Sequence, residues 1–426
     1  MSAVIKNVTF FFPYKQISGI PVLFSNIANF LIKNSKINVN IIDYKDGALI
    51  RNCIAHERLN FIEFKDFLPC KINFNTCLIL QAGLPYKLRK ELIIGEKVKI
   101  IQWAAHEFNL VPFISRFNYI RKIQEKYRIV YTLFCIINFK KFNTLKQWIP
   151  EMINRGSIVF MTQCIYETTR EYLNFKEPNN INFIPNISDG LFEYNKESVN
   201  RKAEEVKVII EIGWIGRLAD FKIHILNYSI CSLSKLANKK KIKINFHIIG
   251  EGEFDNLLSL NLENEYFSII NVGSLEKNQV DLYLEDNLHC LFSMGTSAID
   301  GARLGLPIVL LDQSYLPILN DYKFKYLFNA TGFDLGHPVT SNDFESGNDS
   351  LNKIIDDLVN DYYNISTKCL NYFNKNHKID IVVNNLLELF QENYYSIHEV
   401  PKEIYRQGIF RKLYLFYLKK VKKSYY

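Results

Sequence analysis

The stretch His289–Asp312, HCLFSMGTSAIDGARLGLPIVLLD, decides the fold of this 426-residue chain. Two short apolar runs, Leu288–Ser293 and Pro307–Leu311, have the length of buried strands, and the residues between them predict a short helix. A helix between two buried strands predicts a right-handed parallel crossover. Its N-terminus then opens at the carboxyl edge of the sheet, where α/β proteins bind ligands.

The predicted helix carries boundary signals and polar groups suited to a ligand. Thr296 and Ser297 favour the N-cap, and Ser297 with Asp300 has the S-x-x-D spacing of a capping box, while Gly305 is placed to end the helix. Free N–H groups and the positive end of the helix dipole favour a diphosphate there, and Asp300 could accept hydrogen bonds from a ribose diol. The alternative is that Ser297 and Asp300 only cap a helix.

Short apolar runs alternate with helical stretches along the whole chain. Further predicted strands are Asn7–Phe12, Ile37–Asp43, Thr76–Gln81, Lys97–Trp103, Ser157–Met161, Val206–Gly213, Lys243–Ile249 and Phe267–Val272. This alternation predicts an α/β protein with parallel sheets, and the length fits two domains. Residues 187–205 are polar without an apolar period, which predicts a linker between domains 1–186 and 206–370, followed by a helix within 371–400 and a tail 401–426.

Composition limits the class of protein. A hydrophobic content of 48% excludes a disordered chain, and the eight scattered cysteines form no C-x-x-C pair, which favours reduced core thiols in a cytoplasmic protein. No D-x-D pair or His/Cys cluster has a convincing metal-ligand spacing, so no metal is predicted. No charged-then-apolar leader opens the chain, and the apolar run near Ile129–Phe139 is too short to span a bilayer.

Most of the formal net charge of +8 lies near the C-terminus, where residues 402–423 contain eight Lys or Arg and one Glu. Large apolar side chains are interleaved with these cations. One interpretation is a peripheral segment on an anionic membrane surface. The other is an ordinary terminal helix with solvated lysines. Nucleic acid is not expected as a partner, because the charge is confined to one terminus.

The loop after the predicted strand Val206–Gly213 carries Gly216, Arg217 and Lys222. Positioned Arg and Lys side chains stabilise the negative charge that a departing nucleoside diphosphate develops, in place of a metal. The alternative is a pair of solvated cations in a loop.

Four segments in order resemble the GT-B glycosyltransferases, in particular the retaining family-4-like (group 1) enzymes of bacterial surface polysaccharide synthesis. Gly216-Arg217-Leu218 with Lys222 is similar to their G-R-L-x-x-x-K segment, and Gly250-Glu251-Gly252 to a strand followed by G-x-G. Gly273-Ser274 corresponds to the backbone that frames the nucleobase. Asp300–Val309 resembles the signature E-A-x-x-x-G-x-P-V.

The resemblance implies two Rossmann-like domains with a cleft between them and a C-terminal helix that crosses back to the first. It implies a nucleoside diphosphate sugar as donor substrate, held mostly by the second domain, and no separate cofactor. The implied substrate contacts are Gly19, Gly216, Gly250, Gly273, Ser274, Gly295, Thr296, Ser297 and Asp300.

The catalytic candidates are His106, Arg217 and Lys222. His106 follows a predicted strand end and could contact a sugar hydroxyl or carry a proton, or it could be a structural histidine. Retaining relatives carry two acids spaced E-x7-E. The second maps to Asp300, whereas the first falls on Phe292. If the reaction inverts the anomeric carbon instead, His106 is the candidate base.

The sequence is therefore interpreted as a glycosyltransferase that moves a sugar to an acceptor hydroxyl. By analogy, the acceptor is a glycan or lipid-linked glycan of a bacterial surface, such as O-antigen, capsule or lipooligosaccharide. Two alternatives stay open: a nucleotide-sugar epimerase of the same fold, and a non-catalytic nucleotide-binding partner subunit.

Overall fold

The computed structural model of the chain describes residues 6–16, 18–83, 91–107, 109–111, 132, 136, 139–188, 190, 194–319, 321–344, 349–392, 395–396, 399 and 416–422. Contacts between Cα atoms divide these residues into two compact units. The first contains the described residues of Met1–Pro185 and Val382–Tyr426, and the second those of Asn186–Ile381.

The first unit is an α/β unit with a six-stranded parallel sheet. Its strands are β1 (Asn7–Phe11), β2 (Asn38–Asp43), β3 (Leu59–Glu63), β4 (Cys70–Ile72), β5 (Thr76–Gln81), β6 (Leu92–Ile94), β7 (Val98–Ala104) and β8 (Ile158–Phe160). Its helices are α1 (Gly19–Asn34), α2 (Ala48–Arg51), α3 (Phe139–Asn154) and α4 (Gln163–Leu173). The sheet order is β3-β2-β1-β5-β7-β8, and β4 pairs separately with β6.

Aromatic side chains join helix and sheet in this unit. The buried ring of Phe24 on α1 lies 5.4 Å from the Phe10 ring of β1 and 6.0 Å from that of Trp103 on β7. The indole of Trp103 donates a hydrogen bond to the Ile184 carbonyl at 3.1 Å, so its polar atom is satisfied in the core.

The second unit repeats this architecture. Its strands are β9 (Ile210–Ile215), β10 (Ile244–Ile249), β11 (Phe267–Gly273), β12 (Cys290–Ser293), β13 (Ile308–Leu310) and β14 (Lys325–Tyr326). Its helices are α5 (Lys196–Glu205), α6 (Asp220–Lys240), α7 (Lys277–Asn287), α8 (Thr296–Arg303), α9 (Leu351–Asn360) and α10 (Tyr362–Asn376). Short 3-10 turns cover Asp255–Leu257, Leu327–Asn329 and Ser341–Phe344.

The sheet of the second unit has the order β11-β10-β9-β12-β13-β14, parallel except for the antiparallel edge strand β14. Helix α8 lies close against this sheet because of Gly301. A Cβ atom there would lie 2.8 Å from Ile308 Cδ1 and 2.9 Å from Leu291 Cδ2. The glycine therefore lets the helix that the opening stretch encodes pack directly on β12 and β13.

The sequence predicts a linker over 187–205, but residues 196–205 form helix α5. Asn195 caps it by accepting hydrogen bonds from the backbone N–H groups of Glu197 and Ser198. Lys202 is 3% exposed and donates to the Leu284 carbonyl at 3.2 Å. Burial lowers the pKa of Lys202 to about 8. Lys202 is buried along its apolar stem but counts as a polar residue in the sequence pattern. The sequence of this helix therefore lacks the apolar period by which a helix is recognised.

The C-terminal part begins with helix α11 (Ile379–Glu392), most of which belongs to the first unit. There Lys99 Nζ donates to the Phe390 carbonyl at 3.2 Å. Of the predicted basic tail, residues 402–415 and 423 lie outside the described residues, and Leu418–Lys422 form a π-helical turn. Among the described helices, none has the length and apolarity to cross a membrane.

Candidate functional site

The candidate site lies where the strand order of the second sheet reverses direction. From β9 the chain moves outward to β10 and β11, then returns to the other side of β9 with β12 and β13. This is the Rossmann order 3-2-1-4-5-6, in which ligands bind beyond the carboxyl ends of the first and fourth strands. Those ends are the loops that begin at Gly216 and Met294, on the neighbouring strands β9 and β12.

Glycines hold three loops of this edge against one another. Gly250 has φ +131°, and a Cβ atom there would lie 2.1 Å from the Gly216 carbonyl oxygen. Likewise, a Cβ on Gly252 would lie 2.1 Å from the Leu218 oxygen. Backbone hydrogen bonds join Gly216 N to Ile249 O at 3.0 Å and Gly250 N to Gly273 O at 2.8 Å. The predicted glycines are thus contact points between the loops after β9, β10 and β11.

Ser274 lies at the outer end of these loops. Its side chain is exposed, and its backbone N–H donates to a carboxylate oxygen of Glu251 at 3.4 Å. Gly273 before it has φ +73°, a left-handed conformation that favours glycine. These two residues are therefore placed at the edge of β11, two strands away from β9.

Two cations, Arg217 and Lys222, lie at the end of β9. The Nζ atom of Lys222 would lie 3.0 Å from a Cβ built on Gly216, so the ammonium is next to the glycine backbone. Burial and the nearby charge of Arg217 lower the pKa of Lys222 to about 8. Neither cation forms an ion pair with any residue that the structure describes. Two like charges held together without a counter-ion indicate a position for an anion.

Helix α8 begins differently from the prediction. Its N-cap is Gly295, with φ +64° and ψ −140°, and the cap makes no side-chain hydrogen bond. Thr296 and Ser297 lie in the first turn, so the predicted Ser297–Asp300 capping box is wrong. Gly295 N donates to Leu335 O at 2.7 Å, and this contact from a distant loop sets the start of the helix. In an α-helix the first backbone N–H groups have no acceptor within the helix and point out of its N-terminus, which is the arrangement that anion binding requires.

The segment Asn186–Ser188 runs along one face of α8. Asn186 Nδ2 donates to Thr296 Oγ1 at 2.8 Å, and Ser188 Oγ donates to Asp300 Oδ1 at 2.5 Å. Thr296 and Asp300 are one helical turn apart, so both hydrogen bonds lie on the same side of the helix. The segment thereby fixes two of the residues predicted to contact the donor.

A buried arginine continues the contact from Asp300 into the interior. Arg303 Nε donates to Ser188 Oγ at 3.2 Å, and Arg303 Nη2 donates to Asp281 Oδ1 at 2.7 Å. A Cβ on Gly190 would lie 2.0 Å from Arg303 Nη2, so this glycine makes room for the guanidinium. Asp300 is therefore joined to the buried Asp281 carboxylate through Ser188 and Arg303.

A buried ionic cluster supports the loop that contacts Gly295. Asp312, His337 and Asp343 bring possible ligand atoms within 4.8 Å of one another, close enough for a metal ion. However, Lys325 Nζ is 3.6 Å from Asp312 Oδ1 and 3.3 Å from Asp334 Oδ2. Burial opposes protonation of His337, but hydrogen bonds to Asp334 and Asp343 raise its pKa to about 10. An imidazolium and an ammonium beside the carboxylates suit an ion network better than a metal site.

The first unit carries the two remaining predicted site residues. Gly19 is the first residue of α1, and a Cβ there would meet no atom within 4 Å. His106 follows β7, and its half-exposed ring lies 3.3 Å from the Glu107 carboxylate. Asp43 at the end of β2 accepts hydrogen bonds from the backbone N–H groups of Tyr14, Tyr44, Leu49 and Ile50.

Sequence reasoning missed Asn186, Ser188 and Arg303. The first two lie in or beside the predicted linker, and nothing in their local pattern distinguishes them from solvated polar residues. Arg303 falls at a variable position of the signature, where an exposed side chain is the ordinary expectation. Only the fold shows that all three support Thr296 or Asp300.

Two Rossmann-like units, each with a reversing parallel sheet, define the GT-B fold of glycosyltransferases. The chain has this fold, so the predicted fold class and the resemblance are confirmed at the level of architecture. No protein-family model and no curated protein sequence matches the chain.

Solved structures match the fold over nearly the whole chain. A glycosyltransferase from Rickettsia africae aligns with a TM-score of 0.52 and 13% identity, over 91% of this chain and 98% of that one. Sucrose-phosphate synthase from Thermosynechococcus elongatus aligns with a TM-score of 0.52 and 9% identity, over 91% of this chain and 98% of that one. An E. coli structure described as trehalose-6-phosphate bound with UDP-2-fluoro glucose aligns with a TM-score of 0.50 and 9% identity, over 92% of this chain and 99% of that one.

Proposed function

We propose that this chain is a metal-independent glycosyltransferase that moves a sugar from a nucleoside diphosphate sugar to an acceptor hydroxyl. The observation that carries the proposal is the pair of neighbouring cations, Arg217 and Lys222, at the switch point of the second sheet. Lys222 stays cationic at neutral pH although it is largely buried, and the described residues offer it no counter-ion. A diphosphate supplies the missing negative charge.

The residues of the site have distinct roles in the proposed reaction. As the bond between the anomeric carbon and the diphosphate oxygen breaks, Arg217, Lys222 and the first N–H groups of α8 stabilise the charge on the leaving diphosphate. Thr296 and Ser297 bind its oxygens, and Asp300 accepts from the ribose hydroxyls. Gly216 and Gly250 keep the loop backbone free of side chains beside Lys222.

The stereochemical course depends on which group assists the acceptor. Position 292, where retaining relatives have an acid, holds Phe292, which is fully buried in β12. Inversion requires a base, for which His106 with its neighbour Glu107 is the candidate. The anomeric configuration of the product, read by NMR, distinguishes the two courses.

If the product has the inverted anomeric configuration, His106→Gln should lower turnover by about 10²-fold or more. Unchanged turnover removes His106 from the site.

The proposed acceptor is a glycan or lipid-linked glycan of a bacterial cell surface, assembled at the cytoplasmic side of the membrane. Residues 402–423 supply the charge for peripheral contact with anionic lipid. A chain truncated after Val400 should sediment less with anionic liposomes than the full chain. Equal sedimentation removes the membrane contact and leaves the transferase proposal unaffected.

A thermal-shift screen of nucleoside diphosphates tests the binding half of the proposal, because a ligand of the folded state raises its stability. One diphosphate should raise the melting temperature of the full chain, and Arg217→Met should abolish the rise. Lys239→Met, an exposed lysine on α6, is the matched control. The absence of a melting-temperature shift with any diphosphate contradicts the proposal.

A shift without sugar transfer to any acceptor extract favours the partner-subunit alternative, and product formed from the donor alone favours the epimerase.

A further inference from the structure

The second unit contains a groove of about 610 Å3, and none of its described lining residues belongs to the candidate donor site. One wall is a face of helix α10, formed by Lys368, Asn371, Tyr372, Lys375 and Asn376. The facing wall is the segment after β14, with Phe328 and Phe333. Its volume is in the range of small-molecule pockets, which is about 300–1,000 Å3.

The charged side chains among the described lining residues of the groove are lysines. Its described lining residues include two lysines and no acid. Lys368 Nζ lies 5.4 Å from the centroid of the Phe328 ring, and neither Lys368 nor Lys375 forms an ion pair with a described residue. The helical spacing of i and i+7 directs both lysines to the same side of α10. An anionic ligand would find both charges available.

The aromatic walls of the groove are held in place from behind. The His377 ring lies 5.5 Å from the Tyr372 ring and 6.3 Å from the Phe333 ring. His377 is fully buried, and its Nδ1 donates to the Asn186 carbonyl at 2.7 Å. On the other wall, Phe328 stacks on Tyr326 with an interplanar angle of 12°. The rings are therefore fixed before a ligand arrives, which lowers the entropic cost of binding.

Phe333 also has an unfavourable backbone conformation. Its φ is +61°, in the left-handed region that a bulky side chain rarely adopts. Such strain persists where the surrounding structure imposes it and is concentrated at binding and catalytic sites. The side chain held there is an aromatic ring of the groove wall. The strained residue and the unpaired lysines are independent observations that point to the same groove.

We propose that this groove binds an anionic oligosaccharide. Lys368 and Lys375 bind its phosphate, sulfate or carboxylate groups, and the aromatic rings pack against the apolar faces of its sugars. The side-chain amides of Asn371 and Asn376 can both donate to and accept from hydroxyl groups. Two lysines are too few to follow a nucleic-acid backbone. The inference goes beyond the proposed function and does not depend on it, because no nucleotide is required for this binding.

Calorimetric titration of the full chain, without nucleotide, tests the proposal. The probes are a heparin-derived hexasaccharide, the neutral maltohexaose, inorganic sulfate and a single-stranded hexanucleotide. The anionic hexasaccharide should bind at least about tenfold more tightly than each of the others, a difference of about 1.4 kcal/mol. Equal binding of sulfate or of the hexanucleotide overturns the proposal, since the site would then recognise charge alone. No binding of the hexasaccharide overturns it as well.

Variants assign the binding to the groove. Lys368→Ala with Lys375→Ala should weaken hexasaccharide binding at least about tenfold. The control is Lys235→Ala with Lys239→Ala, two exposed lysines on α6, which removes the same charge from the same unit. Equal weakening by both pairs overturns the proposal.

Phe333→Asn separates the aromatic contact from folding. Asparagine tolerates the left-handed conformation, so the variant should melt at or above the temperature of the wild type. It should nevertheless bind the hexasaccharide several-fold more weakly. Unchanged affinity in a folded variant removes the aromatic wall from the site. Nucleoside diphosphate binding, measured in the same variants, should not change, so that a failure here is distinct from a failure of the proposed function.

Discussion

The two sheets have the same strand order, but their carboxyl edges differ in chemistry. At the edge of the second sheet, glycine loops pack on one another, and Arg217 and Lys222 have no acidic partner among the described residues. At the edge of the first sheet, Asp43 is satisfied by backbone amides and His106 lies beside Glu107. One topology thus carries an edge with two neighbouring cations and an edge with a histidine and carboxylates. The loops, and not the strand order, determine which ligand each edge suits.

The largest expected effect comes from the cations of the second sheet. Arg217→Met with Lys222→Met should lower kcat/KM for sugar transfer by about 10²–10³-fold, because the leaving diphosphate loses its stabilising charges. Lys15→Met, at the edge of the first sheet, removes a cation that is paired with Asp46 at 2.9 Å and should change turnover little. Steady-state kinetics on all variants makes the comparison. Similar losses at both edges would remove the distinction between them.

The ion network behind Gly295 should make the second unit sensitive to alkali. The pKa of His337 is raised from 6.5 to about 10, so its contribution to stability is complete below pH 6.5 and is lost as the pH rises towards 10. The loss is at most about 1.4 kcal/mol per pH unit. Lys202 and Lys222 have lowered pKa values and act in the opposite direction above pH 8, so the comparison is made with His337→Gln. In denaturant titrations, the free energy of unfolding of the wild type should exceed that of His337→Gln by an amount that shrinks as the pH rises from 6.5 to about 10. A difference that stays constant contradicts the role assigned to His337.

Two glycines test the role of loop packing at the two edges. Gly250→Ala brings a Cβ to 2.1 Å from the Gly216 oxygen at φ +131°, and should destabilise the protein by about 1–3 kcal/mol. Gly19→Ala meets no atom within 4 Å and should be neutral or slightly stabilising, since alanine favours helices. Chemical denaturation measures both. Equal destabilisation would show that Gly19, too, is required by packing.

The smallest expected effect concerns the orientation of Asp300. Ser188→Ala removes the hydrogen bond to Asp300 and should reduce the preference for a ribonucleoside diphosphate over its 2′,3′-dideoxy analogue about fivefold, which corresponds to about 1 kcal/mol. Ser229→Ala is the control, because this buried hydroxyl donates only to the Ile225 carbonyl of its own helix. Calorimetric dissociation constants give the ratio. A preference that is unchanged in Ser188→Ala excludes a positioning role.

The sequence was sufficient to predict most of the strands and the order of the site segments, but it missed the strands Leu59–Glu63, Cys70–Ile72, Leu92–Ile94 and Lys325–Tyr326. Short apolar runs such as Thr76–Gln81 became strands because burial on both faces leaves a continuous apolar pattern. The predicted cap of α8 was wrong because Leu335, forty residues away from Gly295, accepts the hydrogen bond that fixes the helix start. Similarly, the roles proposed for Ser188 and the groove residues depend on contacts distant in sequence, for which local patterns contain no signal.

In the proposed site, the lowered pKa of Lys222 would couple diphosphate binding to proton uptake. At pH 8 about half of the free protein carries an unprotonated Lys222 amine, and a bound diphosphate favours the ammonium, so binding should take up about half a proton. The measured heat would then vary with the ionisation enthalpy of the buffer. Because the charge of Arg217 contributes to the lowered pKa, its replacement by Met should diminish this uptake even where binding persists. The charge of Lys222 is therefore tuned by its neighbour Arg217.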